Sequence, residues 1–488
     1  MNALLRLWSV IDDRLGISRI VKPLMEHKVP PDSKWAYVFG SATLFAFMLQ
    51  VVTGVALATI YVPSTNDAYR TLQYISNSAL LGHWLRGMHY FGASMMIAFL
   101  GVHMLRVFLT ASYKYPREGN WMSGVILLVC TLVMGFTGQL LRWDQDAVWS
   151  INIAVRQAAR VPLLGPWLER FAYAGDRLNG ATLTHFYDLH VFIIPAIMFA
   201  VIGLHLYLVV YNGISEPPRA GNPVDPKTYR QKYEALLKEK GVPFWPDAAW
   251  RDALFGSLVI SLIIALAAIF GPPHLEKAPD PTLLHAYPRP DWYLLWYFAI
   301  LALSPHALES IFMIVFPLGI FLSLFFLPVF FNKGERAPMR RPWAVAWVIF
   351  AVVTVSVFWR EGKVAGWSPR FEAKGLNPAG YDASDAAVHR GAILFHDKGC
   401  EYCHEIHGQG GVRGPDLSDV ANRLSAQQME RQILTGGYNM PAYAGILQSN
   451  EVDDLVTFLS TMRKVPGPNL NTPIKSQSQA MQQEGQQP

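Results

Sequence analysis

Long apolar runs alternate with short polar stretches through the first three-quarters of the chain. They fall at about 35–61, 88–109, 124–141, 186–211, 254–270, 311–331 and 345–359. Most reach or approach the roughly 20 residues with which an α-helix crosses a bilayer, so the pattern predicts seven transmembrane helices. A further apolar stretch, 292–303, is shorter and ends at Ser304-Pro305, which predicts a re-entrant or surface helix. Residues 1–34 are basic and amphipathic and lack a cleavage pattern. After the last apolar run the pattern changes. Residues 362–385 read as a Gly- and Pro-containing linker, and 386–464 as a small soluble helical domain. There Val452, Leu455, Val456 and Leu459 follow the i, i+3, i+4, i+7 spacing, with Ser449 or Asn450 available as N-cap. Residues 465–488, rich in Gln, Ser, Pro and Asn, are expected to be disordered.

Composition and charge add an orientation. Only 16% of residues are charged, against about 25% in soluble domains, which excludes a single water-soluble domain. The net charge of +5 is modest and gives no reason to expect a nucleic-acid partner. Lys and Arg are unevenly spread. The N-terminal segment and alternate loops hold 19 of them, and the opposite loops hold 9. The N-terminus is therefore expected in the cytoplasm, and seven crossings put everything after about 359 in a periplasm-like compartment. A bacterial inner membrane is the expected location. Three cysteines cannot build a disulfide framework. Cys130, alone in an apolar run, reads as a small buried residue.

Two sets of residues carry candidate chemistry. Cys400-Glu401-Tyr402-Cys403-His404 is a C-x-x-C-H run, the attachment pattern of a c-type haem. The two thiols add to the porphyrin edge, and the adjacent histidine becomes an axial iron ligand. A redox-active or zinc-binding pair is the other reading, although no second Cys/His pair follows at zinc spacing. The sixth ligand must come from downstream, and Met440 is the best placed; His407 and Met429 are its rivals, and a core methionine is the bland reading. The second set lies inside the membrane, where an ionisable side chain is by default a functional candidate. His89 and His103 share one span, 14 residues apart; His190 and His205 share another, 15 apart. Each separation is about four helical turns, or roughly 21–22 Å. Both spans run in the same direction, so His89 is level with His190 and His103 with His205. Two non-covalent b-type haems stacked across the bilayer would use all four imidazoles. Arg86 and Arg106 stand three residues from His89 and His103, where each could pair with haem propionates or simply snorkel. Gly54, Gly92, Gly101, Gly124 and Gly138 supply missing side chains beside a flat macrocycle, or allow close helix packing.

The membrane part resembles the cytochrome b subunit of the Rieske/cytochrome b quinol-oxidising complexes. The resemblance rests on Arg86-Gly87-Met88-His89, His103-Met104-Leu105-Arg106, Tyr115-Pro116-Arg117-Glu118, Gly135-Phe136-Thr137-Gly138, Trp143-Asp144-Gln145 and Phe186-Tyr187-Asp188-Leu189-His190. Its most telling run is Pro290-Asp291-Trp292-Tyr293. It covers about residues 25–361 and is closer to the chloroplast-like and Gram-positive-like versions. The expected fold is an all-α membrane protein. A four-helix part at 35–216 would hold two b haems, a cytoplasmic loop would span 217–250, and a three-helix part at 251–361 would carry the quinol-site motif. A periplasmic domain resembling a class I cytochrome c would follow, in which the Pro415 carbonyl orients the haem histidine. Three residues depart from the family pattern: Asp291 stands where Glu is usual, Arg142 where Pro is usual, and His185 where Arg is usual. Val38 stands where the chloroplast-like type has the cysteine of an extra haem, so that haem is not expected.

The resemblance implies a quinol–cytochrome c reductase subunit. Quinol, menaquinol or ubiquinol, would be oxidised at the outer face, with Asp291 accepting a proton and Tyr293, Pro290 and Trp292 shaping the site; a helix cap is the bland reading of Asp291. One electron would pass through a Rieske iron–sulfur protein to the c-type haem, and the other through both b haems to an inner quinone. Protons would be translocated. A downstream periplasmic electron acceptor and a homodimer are implied partners. Arg19 and Asn212 are candidates for the inner quinone site. The alternative is a non-bifurcating di-haem electron conduit between the quinone pool and another redox enzyme.

Overall fold

In the computed structural model the chain is helical nearly throughout. The structure describes residues 2–463 apart from 177, 280–288, 306–307, 365–383, 411–413, 437–439 and 441. The tail 465–488 and most of the linker 362–385 lie outside the described residues. The helices are α1 (Asn2–Leu15), α2 (Ile17–Glu26), α3 (Phe39–Ala58), α4 (Ala68–Asn77), α5 (Gly82–Leu109), α6 (Glu118–Leu140), α7 (Gln145–Ala159), α8 (Gly165–Tyr173), α9 (Gly180–Asp188) and α10 (Ile194–Asn212). They continue with α11 (Tyr229–Lys240), α12 (Ala249–Phe270), α13 (Leu295–Leu303), α14 (Phe316–Phe330), α15 (Pro342–Val364), α16 (Ala386–Asp397), α17 (Val420–Arg423), α18 (Ala426–Thr435) and α19 (Ser449–Ser460). The chain divides into two compact units, one holding the apolar helices and one holding the residues that follow them.

Among the described residues seven helical stretches are long and apolar enough to cross a membrane: Phe39–Ala58, Gly82–Leu109, Glu118–Leu140, Gly180–Asn212, Phe244–Phe270, Ile311–Phe330 and Pro342–Lys363. They match the seven predicted runs and extend several of them, because polar residues continue the helix at its ends. The short apolar stretch 292–303 forms the separate helix α13, as its length and Ser304-Pro305 predict. Helices α3, α5 and α12 pack together, and α6 packs against α10 and α14. Ala46, Phe47, Met96, Ile194 and Met198 form a core between α3, α5 and α10, with Cys130 of α6 packed against it. Met96 and Met198 each lie midway between the two histidines of their helix, so this core separates the two histidine levels. Cys130 itself is only partly buried.

Prolines decide several local features. Proline offers no N–H to the carbonyl four residues earlier. Pro328 leaves the Leu324 carbonyl without its helical donor, and Trp121 Nε1 donates to it at 2.5 Å. Pro317 does the same to Met313, whose carbonyl accepts from the Tyr297 hydroxyl at 3.2 Å. Pro195 follows a π turn at Leu189–Ile193, which contains His190. At the loop ends several basic residues are fully used. Arg117 donates to the carbonyl of Gly213 and the hydroxyl of Tyr229, both at 2.8 Å. Arg341 donates to the last carbonyls of α5, Phe108 and Leu109, both at 3.1 Å, closing groups that a helix C-terminus leaves unpaired.

The second unit has a core of Val388, Ala392, Phe395, Met429, Leu455, Phe458 and Leu459 among others. Helices α16 and α19 pack on each other. At their contact a Cβ on Gly391 would lie 2.2 Å from the Asp454 carbonyl oxygen and 2.5 Å from Phe458 Cβ, so only glycine allows this approach. The predicted N-cap is off by one residue. Gln448 caps α19, in a reciprocal box with Glu451, because Glu451 falls three residues after Gln448. Replacing Gly391 with Val should force the two helices apart and cost about 1–3 kcal/mol or more. Limited proteolysis should show a more labile C-terminal unit, while the visible spectrum of the membrane unit stays unchanged.

Candidate functional site

The four membrane histidines share one feature, a facing glycine. The rings of His89 on α5 and His190 in the π turn have centroids 6.3 Å apart, with planes at 75°. Metal–imidazole bonds are about 2 Å long, so two of them in line through Nε2 put ring centroids roughly 6 Å apart; one metal ion fits between these rings. A glycine faces each ring. A Cβ would lie 3.1 Å from His103 at Gly40, 3.2 Å from His89 at Gly54, 2.7 Å from His190 at Gly138 and 3.6 Å from His205 at Gly124. Gly40 was not among the predicted glycines. Gly101 meets open space, and Gly92 faces the Gln50 amide instead.

Three ring nitrogens are held by hydroxyls that the sequence reading did not single out. Thr53 Oγ1 lies 2.9 Å from His89 Nδ1, Thr137 Oγ1 3.0 Å from His190 Nδ1, and Ser123 Oγ 2.9 Å from His205 Nδ1. Each hydroxyl donates to the carbonyl four residues earlier, at 2.7, 2.9 and 2.8 Å. Its hydrogen is thus spent, its oxygen accepts from the imidazole N–H, and Nε2 keeps its lone pair for a metal. The signal was present: each hydroxyl directly precedes a facing glycine, in Thr53-Gly54, Ser123-Gly124 and Thr137-Gly138.

His103 and His205 line a cavity of about 750 Å³, together with Gly40, Tyr37 and Arg106. Arg106 lies over the Tyr37 ring at 3.5 Å, and its Nε and Nη2 are buried without a hydrogen-bond partner. Two orphaned donors beside an apolar slot fit an anionic group such as a propionate. At the other level Arg86 is buried and donates to Ser76 at 3.0 Å. The cavity also reaches Lys34, Ser41, Arg251 and Asp252, where Ser41 donates to Asp252 at 2.8 Å. Neither Arg19 nor Asn212 lines it. Arg19 is exposed, and Asn212 donates to Asn120 at 3.0 Å.

The motif Pro290-Asp291-Trp292-Tyr293 sits at the His89/His190 end, between the corner of α6 and α7 and the start of α13. Tyr293 is packed where Gly135 has no side chain; a Cβ there would lie 2.5 Å from its hydroxyl, which is buried and unpartnered. Trp292 Nε1 donates to Ser94 at 3.3 Å. Helix α13 is capped by Leu294, with no side-chain capping bond, so Asp291 does not serve as its cap. Burial pushes the Asp291 carboxyl above its ordinary value, and Arg142 opposes this. His185 packs edge-on against Phe171, centroids 4.8 Å apart, with Nε2 buried and unpartnered. His83 approaches the Ser76 carbonyl at 3.0 Å. Neither is a partner of the four paired histidines.

In the second unit Cys400–Tyr402 form a single 3-10 turn after Gly399, and His404 N donates to the Cys400 carbonyl at 3.0 Å. His404 Nδ1 donates to the Pro415 carbonyl at 2.9 Å, leaving Nε2 for a ligand. A Cβ on Gly414 would lie 2.5 Å from the His404 ring. Burial pushes the Cys400 thiol up to about 12, the opposite of a reactive thiolate. Among the described residues no three His, Cys, Asp or Glu side chains converge. Cysteines, histidine and cradle together fit a covalently held haem. Met440 packs against the core with Gln432 Nε2 at 3.9 Å from its sulfur; most of its flanking motif lies outside the described residues. Met429 is buried in the core of α18, and His407 lies in an exposed turn.

Comparison with known proteins agrees with this geometry. Residues 94–278 match the family described as cytochrome b(N-terminal)/b6/petB, 280–370 match cytochrome b(C-terminal)/b6/petD, and 386–459 match cytochrome C oxidase, cbb3-type, subunit III. The menaquinol:cytochrome c reductase cytochrome b subunit of Geobacillus thermodenitrificans is 35% identical over 220 residues, 43% of this chain and 98% of that protein. Cytochrome b6 of Heliobacterium modesticaldum is 38% identical over 209 residues, covering 42% and 98%. A solved structure titled hyperthermophilic respiratory Complex III aligns with a TM-score of 0.60 and 26% identity, over 73% of this chain and 91% of that one. The chain belongs to the cytochrome b/b6 family, with both cytochrome b parts in one polypeptide and a cytochrome c domain appended.

Proposed function

We propose that this chain is the cytochrome b/c subunit of a quinol:cytochrome c oxidoreductase complex in a bacterial inner membrane. In this reading quinol is oxidised at the outer face, with one electron leaving through a Rieske iron–sulfur partner and the other going inward. The observation that carries the reading is the repeated histidine geometry: two levels, each imidazole facing a glycine, with a half-buried carboxylate at one end. His89 with His190 and His103 with His205 would hold two b-type haems, and Cys400, Cys403, His404 and Met440 a covalent c-type haem. Bound in these places, the haems supply one-electron carriage inward to a quinone and outward to a periplasmic acceptor.

The chain's own residues do the rest. Thr53, Ser123 and Thr137 orient the imidazoles, and Arg86 and Arg106 receive the acidic edges. Asp291 takes a quinol proton and releases it to the outer water, so that quinol turnover moves protons across the membrane. Tyr293 and Trp292 fix the segment that carries Asp291. The loops rich in Lys and Arg support an inward-facing His103/His205 level. Near it, Asp252, Ser41, Lys34 and Arg251 are better candidates for the inner quinone than Arg19 or Asn212. The name of the Geobacillus relative makes menaquinol the first substrate to assay. As in the expected complex, the chain works as a homodimer.

Three experiments test this reading. Acid-acetone extraction followed by pyridine haemochrome analysis should find one haem left on the protein and two extracted. Two covalent haems, or only one extractable, would refute the ligand assignment. Replacing His103 with Ala should remove only one of the two b-type signals and leave the c-type signal; loss of neither would exclude His103 as a ligand. Asp291→Asn should lower quinol-driven reduction of the c-type haem by at least about tenfold, with all haem spectra normal and a Rieske protein copurifying. Unchanged turnover from pH 5 to 8 would mean that the proton acceptor lies elsewhere.

A further inference from the structure

The corner between α6 and α7 carries a charge cluster that the quinol-site motif alone does not explain. Arg142, at the end of α6, is largely buried. Its Nη2 lies 2.8 Å from Asp146 Oδ2 and its Nε 3.5 Å from Asp144 Oδ2. Asp144 is fully buried and already committed, accepting from Ala147 N at 2.9 Å as the cap of α7 and from Glu276 N at 3.3 Å. Asp146 uses its other oxygen to accept from Arg289 N at 3.3 Å. Gln139 Nε2 donates to the carbonyl of the same Arg289 at 3.3 Å. The backbone two residues before Asp291 is therefore stapled to this corner from both sides. The Arg289 side chain is bound elsewhere, donating to the Lys363 carbonyl at 2.9 Å. Arg142, held at this corner, is the cation whose charge acts on Asp291.

We propose that Arg142 is a positioning residue for outer-face quinol oxidation: clamped by Asp144 and Asp146, its guanidinium keeps the Asp291 carboxylate ionised and able to accept the quinol proton. This inference rests on Asp291 being the acceptor, as argued above. The titratable and charged groups that interact electrostatically with Asp291 are Arg142 from the α6–α7 corner, Tyr90 from α5 and Tyr293 from its own segment. Asp144, Asp146 and Arg86 act through Arg142. Burial works against the charged form of a carboxylate and a nearby cation works for it. Without the guanidinium, a half-buried Asp would hold its proton to higher pH and lose its function as a base there.

The sign of the effect separates this role from a purely structural one. The acidic limb of the pH–rate profile for quinol-driven c-haem reduction reports the base. The whole complex in membranes is the sample, and b-haem spectra check its assembly. Arg142→Gln should move that limb to higher pH by at least about half a unit, and Arg142→Lys should leave it within about 0.3 units. Asp146→Asn removes an anion that competes with Asp291 for Arg142, so it should move the limb to lower pH. A broken staple would slow all variants without opposite shifts. If the limb stays in place in both Arg142→Gln and Asp146→Asn while Asp291→Asn abolishes it, Arg142 is a staple and the inference falls alone. If Asp291→Asn retains the limb, the assignment of the acceptor itself fails. Should Arg142→Gln not assemble with its haems, Asp146→Asn decides: a downward shift supports the proposal and an unmoved limb overturns it.

Discussion

An imidazole inside a hydrocarbon layer has two polar nitrogens and no water to satisfy them. Leaving either unpaired costs several kcal/mol, so a membrane histidine is stable only where both ends are used. Here one end is used by the protein itself. A hydroxyl that has given its own hydrogen to the helix takes the Nδ1 proton of His89, His190 and His205. The opposite nitrogen is thereby left as a lone pair, and a glycine clears the space in front of the ring. The helix packing follows from this. α5, and α10 with the π turn before it, must hold their histidines at two matched levels, α3 and α6 must bring the glycines and hydroxyls to them, and the core around Met96 and Met198 fills the space between the levels.

The same requirement, that no polar backbone group go unpaired in an apolar surrounding, explains features that otherwise look unrelated. Each proline in an apolar helix frees one carbonyl. The indole of Trp121 and the hydroxyl of Tyr297 answer two of these vacancies from neighbouring helices, so kinks that would weaken isolated helices become cross-links between them. At the helix ends, Arg117 and Arg341 close the last carbonyls of α10 and α5. Basic residues that set the charge bias of the loops therefore also hold the bundle ends together.

Much of this was legible from the chain itself. The seven apolar stretches, the short helix α13, the two histidine levels and the C-x-x-C-H turn all follow from periodicity and spacing. What was less legible depends on tertiary contact. Gly40 and Gly101 look equivalent in sequence, yet only Gly40 faces an imidazole, because rotation about a helix axis cannot be read from an apolar run with polar positions on no single side. Helices α4, α7 and α8 lie in segments too polar to stand out beside the spans. The Gln448 cap was missed by one residue because Ser449 is the commoner capping type, while the partner at Glu451 fixes the register. Nothing in the sequence marks the inner site, so Arg19 and Asn212 stand level there with Ser41 and Asp252; of the four, the cavity wall contains Ser41 and Asp252.

Two departures from the family pattern meet at one place, and the structure gives them a common cause. Asp in place of Glu shortens the reach of the carboxylate by one methylene. A buried carboxylate tends to keep its proton, so Asp291 alone makes a poor base. Arg142 in place of Pro adds a cation at the same corner, and Asp144 and Asp146 prevent that cation from being an unpaired buried charge. A lone arginine there would cost more than it contributes, and a lone Asp291 would be too weakly acidic. Together the four side chains make a corner with two acids paired to one base and a third acid that feels the same cation. With Asp291 neutral the corner already carries two carboxylates against one guanidinium, so ionising Asp291 adds a third anion, and Arg142 is the group that opposes the combined penalty of burial and like charge.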